Sequence, residues 1–386
     1  MRKVAIIGIG VTKAQAKTPN LSYKELTYGA AKLAYKDAGI KAEEIQSFVT
    51  CAEDFNEGTS IFDEYTPDQL GAATKPMHTL TQDSLVGIAD AYMQIASGLF
   101  DLVVVEAHSK ASNINNINNV EGYALDPNWV RPLDIPAKAL AALEANKYLQ
   151  KTQVSREDME RVLFKVVEKN KSNAKLNPLA AYPGKVTLKQ YLKSSSDYTP
   201  IRHIEEAAHS DGACVIVMAS EEYLSKSNNR KPIWVRGIGW ASETSEIGSR
   251  SWTKATYAKL AADKAYKMAG IRDPKEEIDV FEIDDTFSYK ELQHMEAIGL
   301  CSTREANEMT LNGETSNKGS MPVNTSGGFL GMGDLLEAKG LYQVTELVAQ
   351  LKGKAGKRQV KGAKKGLALS WRGVPTTSGA CVILSN

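Results

Sequence analysis

Hydrophobic positions along the chain alternate between short strand-like runs and longer segments with helical spacing. Residues 4–8 and 233–237 are apolar runs of strand length. Each is followed by a segment with the 3.6-residue period of an amphipathic helix, at 31–40 and at 262–271. Both helical segments reach a glycine near their end, a residue that favours the left-handed conformation of a helix C-cap. The pattern therefore predicts the same strand–helix order in two parts of the chain.

The two parts also share short identical sequences. Gly-Ala-Cys-Val-Ile occurs at 212–216 and again at 379–383. A second strand is predicted after the helix in each part, at 45–50 and at 278–283. Two β-α-β units that each end in a buried strand indicate an internal duplication packed about a pseudo-dyad. We therefore predict an α/β fold of two duplicated sheet-and-helix halves.

A stretch of different character separates the halves and is rich in Asn, Lys and Pro. It contains helical patches at 137–149 and 156–170, and we interpret it as an inserted helical and loop lobe. Such a lobe could line a ligand entrance or only cover a dimer contact, and the sequence leaves both open. The predicted organisation is an N-terminal half at 1–108 plus 203–225, the lobe at 109–202, and a C-terminal half at 226–386.

Composition limits the classes of function. The 386 residues include 47 Lys and Arg against 46 Asp and Glu, which gives a formal net charge of +1. A net charge this close to zero does not favour binding to nucleic acid or to a membrane surface. No apolar run reaches the length of a membrane span. Four cysteines without paired spacing indicate a reducing compartment. Because the N-terminal run resembles a core strand rather than a signal peptide, we expect a cytoplasmic protein.

Several short motifs follow one another in an order typical of one known family. They are residues 81–89 at the start of a helix, 96–101 before a strand at 102–105, 210–213, 282–287, 324–328 with 333–334, and 350–353 with 359–360. In this order they resemble the thiolase superfamily, in particular its sterol-carrier-protein-type and archaeal branch. The resemblance implies a thiolase-like fold with an inserted lobe, a coenzyme A thioester as ligand, and a homodimer or larger complex.

The family's catalytic positions carry other residues in this chain. A thiolase needs a nucleophilic Cys at a helix N-terminus, where backbone N–H groups depress the pKa of the thiol. The resemblance places that position at Asp83, and it places the family's two catalytic His positions at Asp284 and Asp334. The stretch 370–374 also lacks the family's late Cys. Since a carboxylate cannot form the usual acyl-thioester intermediate, ordinary thiolysis is disfavoured.

One hypothesis is altered chemistry on the same scaffold. Asp83, Asp284 and Asp334 would converge on one cavity as their family counterparts do, with Ser84 beside them as a further candidate. Crowded carboxylates cannot all ionise freely, so at least one would have a raised pKa and act as a general acid or base. Such a site suits aldolase-like cleavage of a β-hydroxyacyl-CoA without a covalent acyl intermediate. The expected pocket and oxyanion framework is Asn324, Gly327, Gly328 and Gly333.

The alternative hypothesis is a non-catalytic thiolase-like subunit or scaffold of an acyl-CoA acyltransferase complex. An Asp at a helix N-terminus caps free N–H groups and needs no catalytic role. Replacement of the family's catalytic residues favours this interpretation, whereas the retained glycines favour a maintained pocket. The sequence leaves both hypotheses open.

No cofactor is expected beyond the coenzyme A thioester that would be the substrate. The histidines have no Cys or carboxylate at metal spacing, so we predict no metal site. His78 and His209 could each face the cavity, although a satisfied structural histidine is the favoured interpretation. The Gly8 region lacks the third glycine of a dinucleotide fingerprint. Relatives of this branch work with a small zinc-ribbon and OB-fold protein, so the resemblance implies such a partner, or an active thiolase-like subunit, in trans.

Overall fold

The strands of the protein form one mixed sheet. The computed structural model describes residues 2–57, 62–227, 231–244 and 246–386. Within them the strands are β1 (Val4–Val11), β2 (Ser47–Cys51), β3 (Met77–Leu80), β4 (Leu102–Lys110), β5 (Asp211–Ser220), β6 (Ile233–Ser242), β7 (Val280–Ile283), β8 (Lys365–Trp371) and β9 (Ser378–Ser385). Their order in the sheet is β3-β2-β4-β5-β1-β6-β9-β8-β7. β2 pairs in parallel with β3 and β4, and β7 pairs in parallel with β8, while the other neighbours are antiparallel.

The strand order is symmetric about the junction of β1 and β6. From β1 the sheet continues through β5, β4 and β2, and from β6 it continues through β9, β8 and β7. Two residue pairs, Ala5 with Trp234 and Ile6 with Ile233, join the halves at this junction. The repeated sequence Gly-Ala-Cys-Val-Ile lies in the equivalent strands β5 and β9. The predicted α/β fold of two duplicated halves is therefore confirmed.

The helices alternate with the strands as the periodicity predicts. They are α1 (Tyr23–Ala38), α2 (Asp54–Glu57), α3 (Pro67–Leu70), α4 (Ser84–Ala96), α5 (Ile117–Gly122), α6 (Ala137–Thr152), α7 (Arg156–Ala174), α8 (Leu188–Lys193), α9 (Glu221–Lys226), α10 (Thr256–Ala269), α11 (Pro274–Glu277), α12 (Ser288–Ala297), α13 (Thr303–Leu311), α14 (Gly328–Met332) and α15 (Lys339–Leu351). α1 and α10 are the repeated helices, and both end at a left-handed glycine, Gly39 with φ +71° and Gly270 with φ +70°.

α4 and α15 form the central layer of the molecule. α4 contacts β4 of its own half and β9 of the other, and α15 contacts β8 and β5 in the same way. Both helices share one apolar core with the inner faces of the two halves. α1 covers the outer face of the first half and α10 the outer face of the second. Because α4 and α15 are both central, their N-termini meet inside the protein, where the Leu341 N–H donates to the Ser84 hydroxyl at 3.0 Å.

Two equivalent glycines let the outer helices pack directly on the sheet. A Cβ on Gly10 would lie 1.9 Å from the carbonyl oxygen of Ala30, and one on Gly239 would lie 2.1 Å from that of Ala261. No side chain tolerates such a contact, so only glycine allows α1 and α10 to approach β1 and β6 this closely. The glycines of the first strand therefore serve packing.

The predicted lobe at 109–202 begins within the last two residues of β4 and contains α5 to α8. The helices predicted at 137–149 and 156–170 are α6 and α7, and each extends a few residues further at its C-terminal end. α7 packs on α13 and α14 of the second half, and α5 lies against α6. Within the described ranges, no helix combines the length and the apolar character needed to cross a bilayer.

Candidate active site

A cavity of about 80 Å³ lies where the lobe meets both halves of the fold. The lobe contributes Glu121 and Lys138, and the loops after β2, β7 and β8 contribute Glu53, Thr286 and Arg372. His209 comes from the segment before β5, and Asp334 and Lys339 come from the segment that leads into α15. The carboxyl ends of the parallel strands β7 and β8 meet at this edge of the sheet, which brings their following loops together.

Lys339 is the charged centre of the site. Its side chain is 2% exposed, and its Nζ donates to Asp284 Oδ2 at 3.0 Å and to Thr286 Oγ1 at 3.1 Å. Burial alone would lower the pKa of Lys339, but the carboxylates of Asp284, Asp334 and Asp83 raise it overall. The ammonium therefore stays charged inside the protein.

Asp284 is the fixed partner of this lysine. Burial would raise its pKa, yet the Lys339 ammonium and the hydrogen bond from the Thr286 N–H at 2.9 Å hold its pKa below the ordinary value. Asp284 does not line the cavity. It is an ionised carboxylate that holds Lys339, rather than a group free to exchange protons with a ligand.

Asp83, predicted from the resemblance to occupy the family's nucleophile position, caps α4. Its Oδ1 accepts from the Leu85 N–H at 2.9 Å, while its Oδ2 has no hydrogen-bond partner among the described residues. Burial raises the pKa of Asp83 to about 6. The raised pKa of Asp83 therefore comes mainly from burial rather than from crowding with the other carboxylates, and Asp83 does not line the cavity.

The Ser84 hydroxyl joins the two central helices. It accepts from the Leu341 N–H at 3.0 Å, and the residue is fully buried. Ser84 is not among the residues that line the cavity. In this structure the side chain serves as a hydrogen-bond acceptor between α4 and α15.

His209 faces the cavity beside Asp334. Its Nδ1 lies 3.5 Å from Asp334 Oδ2, beyond hydrogen-bond geometry, and neither ring nitrogen has a hydrogen-bond partner within the described part of the chain. Two backbone hydrogen bonds hold the segments of His209 and Asp334 together. The Asp334 N–H donates to the Ala208 carbonyl and the Ser210 N–H donates to the Asp334 carbonyl, both at 2.8 Å. The interpretation of His209 as a satisfied structural histidine is therefore wrong. His78 instead forms a half-exposed ion pair with Asp90 at 3.0 Å, away from the cavity.

Glu121 reaches the cavity from the lobe. Its Oε2 is buried and has no hydrogen-bond partner among the described residues. Burial, together with the nearby carboxylates of Asp334 and Glu206, raises the pKa of Glu121 to about 8, although Lys138 opposes the change. Lys138 is itself paired with Glu206. Glu121 is thus a carboxylic acid that is largely protonated at neutral pH.

The expected pocket framework supports the site from behind and does not line it. Asn324 accepts from the Ile283 N–H at 2.9 Å and donates to Glu291 at 2.8 Å. Gly327, Gly328 and Gly333 all have positive φ, of +108°, +55° and +105°. A Cβ on Gly333 would lie 2.4 Å from Ser210 Oγ. These residues shape the loop that carries Asp334, and none of their groups faces the cavity as an oxyanion donor.

No cysteine thiol is found among the described residues that line the cavity. Cys51 is fully buried next to Gly87, and burial raises its pKa well above the ordinary value. Cys214 and Cys381 are buried in their strands. In the described ranges, no group of three or more His, Cys, Asp and Glu side chains is arranged to hold a metal ion.

Sequence reasoning missed Lys339 and Glu121 as members of the site. A lysine in the first turn of a helix is ordinarily solvated, and Glu121 lies in the short helix α5, whose sequence carries no recognisable motif. Charge balance could have pointed to Lys339. The Asp284 and Asp334 carboxylates lie in motifs that were expected to be buried, and buried carboxylates need a nearby cation.

Comparison with known proteins places the chain in a family. Residues 239–386 match the family model described as Thiolase C-terminal domain-like. An acetyl-CoA acetyltransferase of Methanocaldococcus jannaschii is 30% identical over 363 residues, which cover 91% of this chain and 90% of that protein. The chain belongs to the thiolase superfamily. Sterol carrier protein 2 of Gallus gallus is 26% identical over 385 residues, 95% of this chain and 69% of that protein.

A solved structure extends the likeness of this thiolase-superfamily protein to the whole fold. The structure described as an Ltp2-ChsH2(DUF35) aldolase superposes with a TM-score of 0.84 at 21% identity, covering 99% of this chain and 97% of that one. These relatives belong with the sterol-carrier-protein-type branch of the thiolase superfamily.

Proposed function

We propose that this thiolase-superfamily protein makes or breaks a carbon–carbon bond next to the thioester of an acyl-CoA, without a Cys nucleophile and without a covalent acyl-enzyme. The observation that carries the proposal is His209, a cavity-facing imidazole beside Asp334 and Lys339 whose two ring nitrogens make no hydrogen bond among the described residues. An imidazole next to a carboxylate and a cation suits proton transfer and the stabilisation of an oxyanion.

In the cleavage direction, His209 acts as the general base on a β-hydroxyacyl-CoA. The imidazole takes the proton of the β-hydroxyl group, the Cα–Cβ bond breaks, and the β-carbon leaves as the carbonyl carbon of an aldehyde or ketone. The electron pair of the broken bond forms the thioester enolate. The carboxylate of Asp334 stabilises the imidazolium that results.

Lys339 and Glu121 complete this reaction. The Lys339 ammonium has three N–H donors and uses two of them on Asp284 and Thr286, which leaves one for the enolate oxygen. Protonated Glu121 gives its proton to Cα of the enolate and releases a shortened acyl-CoA. Proton transfer from His209 to Glu121 through solvent restores both groups. Asp284 is a positioning residue here, because it acts through Lys339.

The choice of substrate and partners rests on the relatives. The names of the acetyltransferase and aldolase relatives support an acyl-CoA substrate and a reaction at the carbon next to the thioester. We propose a homodimer that works with a small zinc-ribbon and OB-fold protein in trans, and the DUF35 component named with the aldolase supports such a partner. No cofactor beyond coenzyme A enters the proposed reaction.

The test is a mass-spectrometric assay of the purified protein with a panel of β-keto- and β-hydroxyacyl-CoA esters, first without and then with free CoA. We expect a β-hydroxyacyl-CoA to be converted to a shorter acyl-CoA and a carbonyl compound without free CoA. His209→Gln should lower kcat by about 10²- to 10⁴-fold. The matched control is His203→Gln, because that imidazole is half exposed and pairs with Asp197.

Two other outcomes would overturn the proposal. Cleavage of a β-keto ester only in the presence of CoA would mean that thiolysis survives without the family's Cys. If none of the esters is converted even with the zinc-ribbon and OB-fold partner present, the result would favour a non-catalytic subunit instead.

A further inference from the structure

A second, larger cavity of about 570 Å³ adjoins the candidate active site. Ala124, Arg372 and Thr376 line both cavities, so the two cavities are adjacent. The second cavity lies between the lobe, the loop after β6 and the loop after β8. Nothing in the proposed reaction uses it.

Arg250 is a buried cation in the wall of this second cavity. The residue is 8% exposed, and its guanidinium stacks on the Trp252 ring at 4.0 Å. Its Nη1 donates to the Pro375 carbonyl at 3.1 Å. No carboxylate in the described part of the chain forms an ion pair with it, although a guanidinium has five N–H donors. A buried charge without a partner is costly, so a retained one needs an explanation.

The other charged groups around the second cavity are already engaged. Arg372 is paired with Glu53, and Arg131 donates to the carbonyls of Leu125 and Tyr123. Asp126 accepts the Asn128 N–H at 2.9 Å, and Glu243 accepts the Ser251 N–H at 2.9 Å. Arg131 and Arg372 are also more exposed than Arg250, so Arg250 is the buried cation of this wall that has no ion pair among the described residues.

One part of the wall is apolar, although polar and charged side chains such as Asp126 and Glu243 line other parts of it. Leu125, Val130 and Leu140 form a buried cluster, against which Ile247 and Trp252 pack. The apolar cluster beside the buried Arg250 guanidinium fits a hydrocarbon chain that ends in a single negative charge. A carboxylate matches this site better than a phosphate, because the guanidinium binds a carboxylate bidentately and the nearby Asp126 and Glu243 disfavour a second negative charge.

We propose that the second cavity binds a carboxylate at the far end of the acyl group, with Arg250 as its anchor. The substrate class would then be acyl-CoA esters of dicarboxylic acids. The claim that the bound carboxylate belongs to the substrate rests on the proposed function. The claim that a carboxylate binds at Arg250 rests only on the geometry of this residue.

The test measures binding without turnover, so its result is separate from that of the proposed function. Titration calorimetry of the full chain with pimelate, a dicarboxylate, should show binding that Arg250→Gln weakens about tenfold or more, because a charge-assisted hydrogen bond is lost. The matched control is Arg304→Gln, since Arg304 is an exposed residue paired with Glu308. If Arg250→Gln does not fold, Arg250→Lys keeps the cation but loses the bidentate geometry and should still weaken binding several-fold.

A second probe distinguishes the carboxylate from the phosphate end of coenzyme A. Adenosine 3′,5′-bisphosphate should bind wild-type protein and Arg250→Gln equally. The proposal is overturned if pimelate fails to bind, if the Arg250 variants bind it as wild type does, or if Arg250→Gln weakens the bisphosphate instead.

Discussion

The Nζ of Lys339 lies 3.0 Å from Oδ2 of Asp284, and both side chains are buried. Lys339 is the first residue of a central helix, and its ammonium neutralises the buried Asp284 carboxylate. The pair leaves His209 as the imidazole at the cavity whose ring nitrogens make no hydrogen bond among the described residues.

Breaking this buried pair should destabilise the protein strongly. Lys339→Met leaves Asp284 without its counter-ion and should lower the free energy of unfolding by about 3–5 kcal/mol, measured by urea unfolding. Asp284→Asn combined with Lys339→Met should cost less than the sum of the single changes. Lys259→Met, which breaks an exposed pair with Asp263, should cost less than about 1 kcal/mol. Strict additivity of the two buried changes would show that the pair does not interact.

Asp83 should make stability depend on pH in the acid range. Because burial raises its pKa from 3.8 to about 6, the folded state holds the proton more tightly than the unfolded state does. Its contribution to stability is therefore complete below pH 3.8 and is lost as the pH rises through about 6.

Asp83→Asn carries no charge, so its stability relative to wild type should rise by about 3 kcal/mol between about pH 4 and about pH 8. Urea unfolding at both pH values measures this difference. Asp263→Asn, at an exposed position, is the control and should show no such trend. A constant difference between wild type and Asp83→Asn would mean that Asp83 is ionised in the folded state like any surface carboxylate.

Glu121 should set the upper pH limit of the cleavage reaction. Burial raises its pKa to about 8, so its acid form persists at neutral pH and is lost above that value. We expect the cleavage rate to fall about tenfold per pH unit above pH 8 in wild type. Glu121→Gln should lower kcat by about 10²-fold and abolish the fall in rate above pH 8. The exposed control Glu308→Gln should keep the wild-type kcat and the wild-type pH profile. A Glu121→Gln enzyme with the wild-type rate and profile would exclude this residue as the proton donor.

Ser84 should matter for stability more than for turnover. Ser84→Ala removes the acceptor of the buried Leu341 N–H, which should cost about 1–2 kcal/mol of stability. The kcat of the folded Ser84→Ala variant should stay within a few-fold of the wild-type value. Ser225→Ala, a change in the short helix α9, is the control measured in parallel. A folded Ser84→Ala protein without turnover would point to a serine nucleophile and against the reaction proposed for His209.

Local patterns in the sequence predicted most of the fold. The repeated helices and the Gly-Ala-Cys-Val-Ile strands follow from short-range periodicity and duplication, and the structure contains both. The position of Asp83 at a helix N-terminus was also predictable, since its motif leads directly into an apolar helix. Such features depend on residues that are close together in the sequence.

The composition of the site was harder to predict, because it depends on contacts between distant segments. Lys339 is buried only because α15 is a central helix, and nothing in its local sequence distinguishes it from a solvated lysine. His209 makes no hydrogen bond among the described residues, because Asp334 Oδ2 lies 3.5 Å from its Nδ1. Of the three aspartates that the resemblance singled out, Asp334 lines the cavity, whereas Asp83 and Asp284 do not.

The most direct test of the central claim is cleavage in D₂O without free CoA. The substrate is a β-hydroxyacyl-CoA ester that the wild-type protein cleaves. Mass spectrometry during turnover measures the masses of the product and of the intact protein. We predict one deuterium on the α-carbon of the shortened acyl-CoA and no added mass on the protein. An acyl adduct on the protein, or product that forms only when CoA is added, would contradict a mechanism without a covalent intermediate.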